Sequence, residues 1–599
     1  MDTLKKRVLA AKREIPSDLV LKGGNVVNVF SARIEKADVA ICDGIIAGIG
    51  PAYHGKEEVD VQGKWITPGL IDGHIHVESS MLVPSELARA LLIHGTTTIV
   101  SDPHEIANVH GIDGIRFMIE NSESIPFDIY FMAPSCVPAT HLETSGADLK
   151  ASDLAGLKDE PRILGLAEVM NFPGVISGDD QILEKIRIFE DRVIDGHSPL
   201  LSGYDLQAYL SAGIGSDHES MKLAEALEKM EGGMMVMIRE GTSAKNLKDL
   251  LPLVNERNQS RFCFVSDDLH AEDIHSRGHL DFVLRKSVQL GLDPVTALRL
   301  ATINPANYFR LYKKGALAPG WQADIVVLND LTAFEVDTVY KNGKPVVQRG
   351  ELIDFPNGVP TYPNHLSRSM NMAEVTPESF AIAHPGGMAR VINLIPDQIV
   401  TVMSHESVQA EKGWFQTDTV SDILKMAVVE RHKGTGNIGH GLVRGFGLKM
   451  GAIASSVAHD SHNIIVVGVD DVAICGAVQA VSDMGGGIAV FSENRLLASV
   501  PLEIAGLMSV KPLQTVVGQL EKAKVMAREL GCGIHDPFMA LSFLALPVIP
   551  ELKLTDRGLV DVNRFEIVPL FMEQRIQKTV VGRARRSLER WDRRRGSRT

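Results

Sequence analysis

The sequence predicts an α/β protein with three parts: a central (β/α)8, TIM-like barrel, a small β domain built from both flanks of that barrel, and a C-terminal α/β domain. Strand-like runs with glycine-containing turns occur on both flanks. Short apolar strands alternate with amphipathic helices between them, and a further α/β pattern follows a proline-rich stretch at residues 354–364. We expect the small β domain at residues 1–67 and 315–365, the barrel at residues 68–314 and the C-terminal domain at residues 371–599.

Both flanks consist of short apolar runs separated by turn residues. In the first flank, residues 19–22 lead to Gly23-Gly24 and residues 39–41 lead to Asp43-Gly44. In the second flank, residues 339–341 lead to Asn342-Gly343, which is a strong hairpin signal. We therefore expect antiparallel hairpins that turn at these glycine-containing pairs.

The central region repeats a short apolar strand followed by a helix over about 250 residues. Strand-like segments include residues 96–101, 129–133 and 163–169, and helical stretches include residues 180–191 and 220–230. This pattern fits a (β/α)8 barrel, whose chemistry lies at the C-terminal ends of the strands. An open doubly wound sheet fits the periodicity almost as well, so the pattern alone does not decide between the two folds.

Composition narrows the class of protein. A chain of 599 residues is long enough for roughly two to four domains, and 45% hydrophobic with 23% charged residues is ordinary for a soluble globular protein. We expect no membrane span, because no run of about 18 apolar residues is free of charged or turn residues. We also expect no signal peptide, because no long apolar stretch follows the basic residues 5–7.

Charge and cysteine usage indicate the partners and the compartment. A net charge of −14 disfavours nucleic acid as a partner over most of the surface. The exception is the arginine-rich tail, residues 583–598, which we expect to be a solvated, partly helical or frayed end. Five scattered cysteines without a Cys-x-x-Cys pair indicate a reducing compartment, hence a cytoplasmic location, and argue against a thiolate zinc site.

The segment His74-Ile75-His76 is the first candidate metal site. Alternate residues of a strand point to the same face, so both imidazoles can reach one ion. The pair follows Pro-Gly-Leu-Ile-Asp-Gly at residues 68–73, where the first strand of a barrel would begin. The alternative is two polar residues at a strand end that are satisfied by backbone and water.

Four later residues with metal-binding side chains fall at the ends of strand-like runs: Glu168, His197, His218 and Asp267. A carboxylate at an apolar strand tip is costly unless it is paired or bound to metal. Each residue alone has another explanation, and for Glu168 that explanation is a salt bridge to an arginine. Four successive strand ends that carry His, Glu or Asp are explained poorly by such separate roles, so we expect one metal centre.

These segments resemble the amidohydrolase superfamily, and the residues around them resemble its bacterial adenine deaminase family. The superfamily pattern is a His-x-His on strand one, a bridging ligand on strand four, two single histidines and an aspartate on strand eight. Many members use a carbamylated lysine as the bridge, whereas this chain has Glu168. The resemblance covers nearly the whole chain apart from the arginine-rich tail, and the motifs that carry it are residues 102–108, 168–175, 216–219, 267–270, 434–437 and 458–463.

This resemblance implies hydrolytic deamination of adenine to hypoxanthine and ammonia at a centre of two divalent metal ions. His74 and His76 would hold the first metal, Glu168 would bridge, and His197 and His218 would hold the second. Asp267 would contact a metal-activated hydroxide, accept its proton and return it to ammonia. The family suggests manganese or iron, and the ligand types also permit zinc. We expect adenine as the small-molecule substrate, no nucleic-acid or membrane partner, and a homodimer or higher homo-oligomer.

Further residues near the predicted strand ends are candidates for handling protons and substrate. Glu105 and His104 are predicted to be catalytic, and Glu78 is an alternative donor to the purine ring that we place with the substrate-binding residues. Asp268 and His270 are also predicted to contact substrate. The alternative for each is a supporting role behind the site. The C-terminal motif at residues 458–463 is expected to be a hydrogen-bonded loop, with contact to the active site or to a second metal as the alternatives.

Two other functions stay open at this stage. One is a cyclic amide hydrolase of the same superfamily, acting on hydantoins or dihydropyrimidines, and Glu168 in place of the bridging lysine counts against it. The other is a catalytically silent scaffold that kept the fold, and the complete set of ligand residues counts against that one.

Overall fold

The computed structural model describes residues 2–242, 244–353, 355–356, 362–367, 369–396 and 398–572. The arginine-rich tail and most of the proline-rich stretch lie outside the described residues. Of the helices within these ranges, none combines the length and the apolar character that crossing a bilayer requires.

The N-terminal flank is one helix followed by five strands. They are α1 (Thr3–Ala11), β1 (Ser17–Asn28), β2 (Arg33–Cys42), β3 (Ile45–Gly50), β4 (Gly55–Asp60) and β5 (Trp65–Pro68). The Asp43-Gly44 turn joins β2 to β3, and both turn residues have the positive φ angles that a tight hairpin requires. The expected turn at Gly23-Gly24 is wrong: β1 continues through these residues with a shift in register against β2, so the glycines form an irregularity inside a strand.

Eight parallel strands form the centre of the chain. They are β6 (Leu70–Ile75), β7 (Thr96–Ser101), β8 (Asp128–Ala133), β9 (Ile163–Val169), β10 (Val193–Gly196), β11 (Ser216–Asp217), β12 (Met235–Arg239) and β13 (Phe262–Val265). β6 to β10 are hydrogen-bonded in sequence, and so are β11 to β13.

Two seams close these strands into a ring. At the first, the Gly215 amide donates to the Ile194 carbonyl over 2.9 Å, next to the start of β11. At the second, Ile75 forms a parallel bridge with Asp267, just after β13. The bridge brings the last strand back to the first, so the fold is the barrel and not an open doubly wound sheet.

Helices follow the barrel strands on the outside. They are α2 (Pro84–Leu92), α3 (His104–Asn121), α4 (Ala151–Ala155), α5 (Phe172–Ser177), α6 (Asp180–Ile188), α7 (Gly203–Ser211), α8 (Leu223–Glu231), α9 (Leu247–Leu250), α10 (Ala271–Arg277), α11 (Leu280–Gln289), α12 (Pro294–Leu300) and α13 (Ile303–Tyr308). Short 3-10 helices lie at Val77–Ser80, Leu251–Leu253 and Gln259–Arg261.

The second flank contributes four strands to the sheet of the first flank. They are β14 (Ile325–Asp330), β15 (Glu335–Lys341), β16 (Lys344–Gln348) and β17 (Glu351–Leu352). β14 pairs antiparallel with β5, so within the described residues nine strands form one sheet from both flanks, as expected. The Asn342-Gly343 hairpin is confirmed between β15 and β16.

Within its described residues, the C-terminal domain is rich in strands and has three α-helices. Its elements are β18 (Ala389–Leu394), β19 (Thr401–Glu406), β20 (Ala410–Glu411), β21 (Trp414–Phe415), β22 (Leu424–Val429), β23 (Ile438–Arg444), β24 (Ala452–Ser455), β25 (Ile464–Gly468), α14 (Asp471–Asp483), β26 (Gly487–Ser492), β27 (Arg495–Pro501), α15 (Leu513–Glu529), α16 (Pro537–Ser542), β28 (Leu552–Thr555), β29 (Gly558–Asp561) and β30 (Glu566–Val568). Further 3-10 helices lie at Asn364–Ser367, Pro377–Phe380 and Phe543–Ala545. In the described residues, eight of these strands form the main sheet, in the order β19-β18-β23-β22-β25-β24-β26-β27.

The C-terminal domain packs directly on the mouth of the barrel. Leu82, in the segment that follows β6, forms a parallel bridge with Ser509. On another side, the Thr144 amide donates to the Asp556 carboxylate over 2.9 Å, and the Thr555 hydroxyl donates to the Leu142 carbonyl over 2.7 Å. These contacts bring residues of the C-terminal domain to the ends of the barrel strands.

Candidate metal centre and active site

The predicted ligand residues all lie at the C-terminal ends of barrel strands. His74 is the second-to-last residue of β6, His76 directly follows the end of that strand, and Glu168 is the second-to-last residue of β9. The remaining three follow β10, β11 and β13 within two residues: His197, His218 and Asp267. The barrel therefore brings residues that are far apart in sequence to one edge, and all but His197 are buried.

The Glu168 carboxylate lies in the middle of this group. Its Oε1 is 3.4 Å from His76 Nε2, whereas its Oε2 is 3.2 Å from His218 Nε2 and 2.7 Å from His197 Nδ1. The two oxygens thus face different histidines. A carboxylate in this arrangement has the geometry to bridge two metal ions.

Asp267 lies on the side of the His74–His76 pair. Its Oδ1 is 3.4 Å from His74 Nε2 and 3.2 Å from His76 Nε2. Its backbone has a φ angle of +58°, a left-handed conformation that is uncommon outside glycine and is found where the surrounding structure holds a functional residue. The Asp267 amide donates to the His74 carbonyl over 2.9 Å, which fixes this turn to β6.

Hydrogen bonds to the backbone determine which nitrogen of His76 is available. Its Nδ1 lies 3.0 Å from the Asp102 carbonyl oxygen, which can only accept, so Nδ1 carries the proton. In the neutral form that a metal ligand must have, the ring therefore carries its lone pair on Nε2, which lies between Glu168 and Asp267. His74 Nε2 is buried and has no hydrogen-bond partner within the described ranges. An unpartnered His74 Nε2 and a His76 Nε2 available for a lone pair, both beside carboxylates, fit a divalent cation.

Two further residues, Arg239 and Glu219, line the same site and were not among the residues predicted from the sequence. Arg239 ends β12, donates to Asp267 Oδ2 over 2.6 Å, and pairs with both oxygens of Glu219. Burial alone would raise the pKa of Asp267, but the Arg239 guanidinium and the two histidines hold that pKa well below its usual range. A signal for Arg239 was present, because a charged residue at the tip of an apolar strand is the same pattern that drew attention to Glu168.

His104 stands between the metal centre and Glu105. Its Nδ1 is 3.1 Å from Asp102 Oδ2 and 3.7 Å from Glu168 Oε1, and its Nε2 is 3.5 Å from Glu105 Oε1. Its ring meets the His76 ring edge to face, with centroids 4.7 Å apart. His104 and Glu105 open helix α3, directly after β7, so the second barrel strand places both residues at the site.

Glu105 is also contacted by the C-terminal domain. Its Oε1 is 2.6 Å from His459 Nδ1, and its Oε2 is hydrogen-bonded to His462 Nε2. Burial would lower the pKa of His459, but the Glu105 carboxylate raises it to about 9. Burial lowers the pKa of His462 to about 4, so this ring is neutral. The loop at residues 458–463 therefore contacts the active-site region, which was one of the alternatives left open by the sequence.

The three predicted substrate-binding residues occupy different places. Glu78 is buried beside Glu105, accepts the Ile106 amide over 3.1 Å, and has its pKa raised to about 7 by burial. Asp268 accepts the Ser79 hydroxyl over 2.5 Å. His270 lies farther out, with its Nδ1 3.6 Å from Asp536 Oδ2 of the C-terminal domain.

A large cavity lies between the barrel and the C-terminal domain. It has a volume of about 1090 Å³ and is bordered by His270 from the barrel side and by Phe446, Asp536 and Phe543 from the other. Phe543 stacks on His459 with ring centroids 4.7 Å apart. The cavity is therefore separated from His459, which contacts Glu105, by the ring of Phe543.

A barrel with this set of histidines and carboxylates at its strand ends defines the class of metal-dependent hydrolases of the amidohydrolase type. The amidohydrolase family model matches residues 65–346, and the model of the adenine deaminase C-terminal domain matches residues 398–566. The adenine deaminase of Desulfatibacillum aliphaticivorans is 52% identical, over 94% of this chain and 99% of its own. Adenine deaminase 2 of Carboxydothermus hydrogenoformans is 49% identical, over 95% of this chain and all of its own.

The chain belongs to the adenine deaminase family. The family and the cluster of ligand residues together indicate binding of divalent metal. Among solved structures, an adenosine deaminase from Xanthomonas campestris with bound zinc aligns with 57% of this chain and 95% of its own, at a TM-score of 0.43 and 18% identity. That likeness is too distant to bear on the substrate.

Proposed function

We propose that this chain catalyses the hydrolytic deamination of adenine, in which water replaces the amino group at C6 and the products are hypoxanthine and ammonia. The observation that carries the proposal is the similarity to curated adenine deaminases, which are 44–52% identical over 94–95% of this chain. The match includes the C-terminal domain as well as the barrel. The site supports the same chemistry, because it gathers metal ligands, an anchored aspartate and buried acids.

The residues present fit two divalent ions, which we propose to be manganese or iron, with zinc as the alternative. His74 and His76 would hold one ion, His197 and His218 the other, and Glu168 would lie between them. Two divalent ions supply a nucleophile at neutral pH by lowering the pKa of a water molecule. The lone pair of His76 Nε2 and the unpartnered His74 Nε2 support this assignment.

Asp267 is proposed as the group that moves the proton of the attacking water. Arg239 holds its Oδ2 over 2.6 Å, which leaves Oδ1 directed toward His74 and His76. Asp267 would accept the proton during attack at C6 and return it to the departing ammonia. The fixed carboxylate needs no reorganisation for either step.

The ring nitrogen beside C6 must also be protonated during the addition. We propose Glu78 as the donor, because burial raises its pKa to about 7. Burial would also raise the pKa of Glu105, but His459, His462 and His104 hold it well below its usual range, so Glu105 is a carboxylate. We propose that this carboxylate, which His104 links to the metal centre, contacts and orients the substrate during the addition.

The cavity at the domain boundary, which His270 borders, is proposed as the route by which adenine enters, and Asp268 is proposed as a further substrate contact. We also propose that the protein acts in the cytoplasm, in keeping with five cysteines that are all unpaired, and that it forms a homodimer or higher homo-oligomer. Sedimentation of the purified protein would test the last point, because a monomer at micromolar concentration would contradict it.

Ammonia release from adenine, measured side by side with ring opening of hydantoin and dihydrouracil, tests the proposed function. The enzyme is loaded with Mn²⁺ or Fe²⁺, and hypoxanthine formation is followed by its ultraviolet spectrum. We expect turnover of adenine alone. Ring opening of hydantoin or dihydrouracil without adenine turnover would identify a cyclic amide hydrolase instead. Inactivity on all three substrates with metal bound would favour a scaffold.

A further inference from the structure

A second buried cluster of histidines and a carboxylate lies between the barrel and the C-terminal domain. It consists of Glu105, His459 and His462, which are 2%, 5% and 1% exposed. Both oxygens of Glu105 are occupied, Oε1 by His459 Nδ1 and Oε2 by His462 Nε2. The three side chains are close enough together to hold a metal ion, so their hydrogen-bonding must decide what they do.

The tautomer of His462 excludes it as a metal ligand. Its Nδ1 lies 3.1 Å from the backbone nitrogen of Ala458, and an amide N–H can only donate. Nδ1 therefore accepts, and the single proton of the neutral ring is on Nε2. That proton is directed at Glu105, so no lone pair faces the carboxylate, and His462 is a hydrogen-bond donor to Glu105.

The loop that carries the two histidines is held firmly from behind. The His462 amide donates to the Ala458 carbonyl over 2.7 Å, and the buried Arg431 side chain donates to the His462 carbonyl. His432 Nε2 lies 2.7 Å from the Ser461 carbonyl, and the Asn463 side chain donates to the Thr144 carbonyl of the barrel over 2.8 Å. The position of the donors is thus fixed by both domains before any substrate arrives.

On its other side, Glu105 faces the metal centre. His104 alone separates it from Glu168, with Nε2 3.5 Å from Glu105 and Nδ1 3.7 Å from Glu168. Helix α3 fixes the backbone of Glu105 but leaves its side-chain torsions free. The two histidines of the C-terminal domain fix the plane of the carboxylate.

We propose that His459 and His462 are positioning residues for the deamination, which hold the Glu105 carboxylate in one orientation beside the metal centre and so make the C-terminal domain part of the active site. This inference rests on the proposed function. The C-terminal domain would thus orient a carboxylate of the barrel. Both donors lie more than 350 positions from Glu105 in sequence, so the barrel alone does not supply them.

Steady-state turnover of adenine by matched variants of the full-length, metal-loaded enzyme tests the inference. His462→Leu removes the donor, whereas His462→Gln keeps an N–H near the position of Nε2. We expect His462→Leu to lower kcat by about 10–100-fold with KM changed less than about threefold, and His462→Gln to recover most of the loss. His459→Leu and His459→Asn form the corresponding pair for Nδ1. His440, which contacts the Ser379 carbonyl within the C-terminal domain, provides the control substitutions His440→Leu and His440→Gln.

A double-variant cycle separates positioning from general stability. If His462 acts through Glu105, then adding His462→Leu to Glu105→Gln costs no further activity. An additive loss, or a normal kcat in both leucine variants, would overturn the inference. If His462→Leu fails to fold, the His459 pair gives the answer by the same criteria. Wild-type enzyme is assayed in parallel, so absence of adenine turnover there would count against the proposed function itself.

Discussion

Two clusters of histidine and carboxylate side chains lie next to each other, with His104 between them: the metal centre at the barrel strand ends and the Glu105–His459–His462 cluster at the domain boundary. They differ in the backbone group that Nδ1 of a histidine contacts. At the barrel strand ends, His76 Nδ1 donates a hydrogen bond to the Asp102 carbonyl, so in the neutral ring the lone pair is on Nε2. At the domain boundary, His462 Nδ1 receives the Ala458 amide, which leaves Nε2 with the proton. The first arrangement suits a metal ion and the second suits an anion.

The comparison shows that ligand type and distance do not suffice to identify a metal site. Both clusters are buried, and both bring imidazole and carboxylate atoms within the spacing of a coordination sphere. A backbone carbonyl at Nδ1 places the proton on Nδ1, whereas a backbone amide at Nδ1 places it on Nε2. The tautomer then decides whether Nε2 can bind a metal ion or can donate to an anion. Two measurements compare the clusters directly, the metal content and the effect of a chelator, and substitutions at two buried carboxyl groups probe the regions around them.

Asp267→Asn should produce the largest loss of activity. The amide keeps the shape of the side chain but accepts no proton, so we expect kcat for adenine to fall by about 10²–10⁴-fold in protein that still binds metal. Turnover assays and metal analysis of the same sample measure both quantities. Asp330→Asn, at the exposed end of β14, is the matched control and should be unaffected. Near-normal turnover by Asp267→Asn would remove Asp267 from its proposed role.

His76→Gln should separate the two clusters by metal content. It removes a lone pair from the metal centre, so we expect the bound metal to fall by at least one ion per chain. His462→Gln should leave the metal content as in the wild type, because that ring offers a proton and not a lone pair. Elemental analysis of the desalted proteins measures the metal content of both variants. Metal loss in His462→Gln would mean that the cluster of Glu105, His459 and His462 binds an ion.

Removal of metal by a chelator should destabilise the wild type and the His462→Gln variant. It should destabilise the His76→Gln variant much less, because that variant has already lost metal. A ligand bound only by the folded protein stabilises it by about 2–4 kcal/mol at 100 to 1,000 times its Kd. We therefore expect the Tm of the first two proteins to fall on chelation and to recover when Mn²⁺ is restored. An unchanged Tm in the wild type would indicate that the barrel histidines hold no metal ion that stabilises the fold.

Glu143 provides a test of a buried carboxyl group that has no histidine partner. Burial and the nearby Asp460 raise its pKa to about 8 at the domain boundary, above the ordinary value of 4.5. Its protonated form thus contributes stability that is fully present below pH 4.5 and is lost as the pH rises through 8. Glu143→Gln should remove this loss, so its free energy of unfolding should fall less than that of the wild type between pH 5 and 8.5, by at least about 1 kcal/mol. Equal slopes for the two proteins would contradict this, and the exposed Glu190→Gln serves as the control.

The sequence predicted most of the barrel edge because each ligand is a polar residue at the tip of an apolar strand. Glu168 and Asp267 stood out for that reason, and Arg239 was missed although it has the same pattern. Periodicity could not distinguish a closed barrel from an open sheet, because the difference depends on the bridge between Ile75 and Asp267, a contact between distant residues.

Local sequence patterns do not predict the cluster of Glu105, His459 and His462 at the domain boundary, for a different reason. Nothing near His459 or His462 indicates that Glu105 will be their partner, since the contact arises only when two separately folded regions pack together. The hydrogen bond from Ala458 that sets the His462 tautomer depends in turn on the shape of a five-residue turn. Such details follow from tertiary packing and not from spacing.

A metal count and an adenine assay on the same samples of wild type, His76→Gln and His462→Gln provide the most direct test of the proposed metal centre and its chemistry. We expect two divalent ions per chain and adenine turnover in the wild type. We expect lost metal and lost turnover in His76→Gln, and full metal with turnover close to that of the wild type in His462→Gln. A metal-replete wild type that releases no ammonia from adenine would contradict the proposed chemistry. A third ion that disappears in His462→Gln would contradict the distinction between the two clusters.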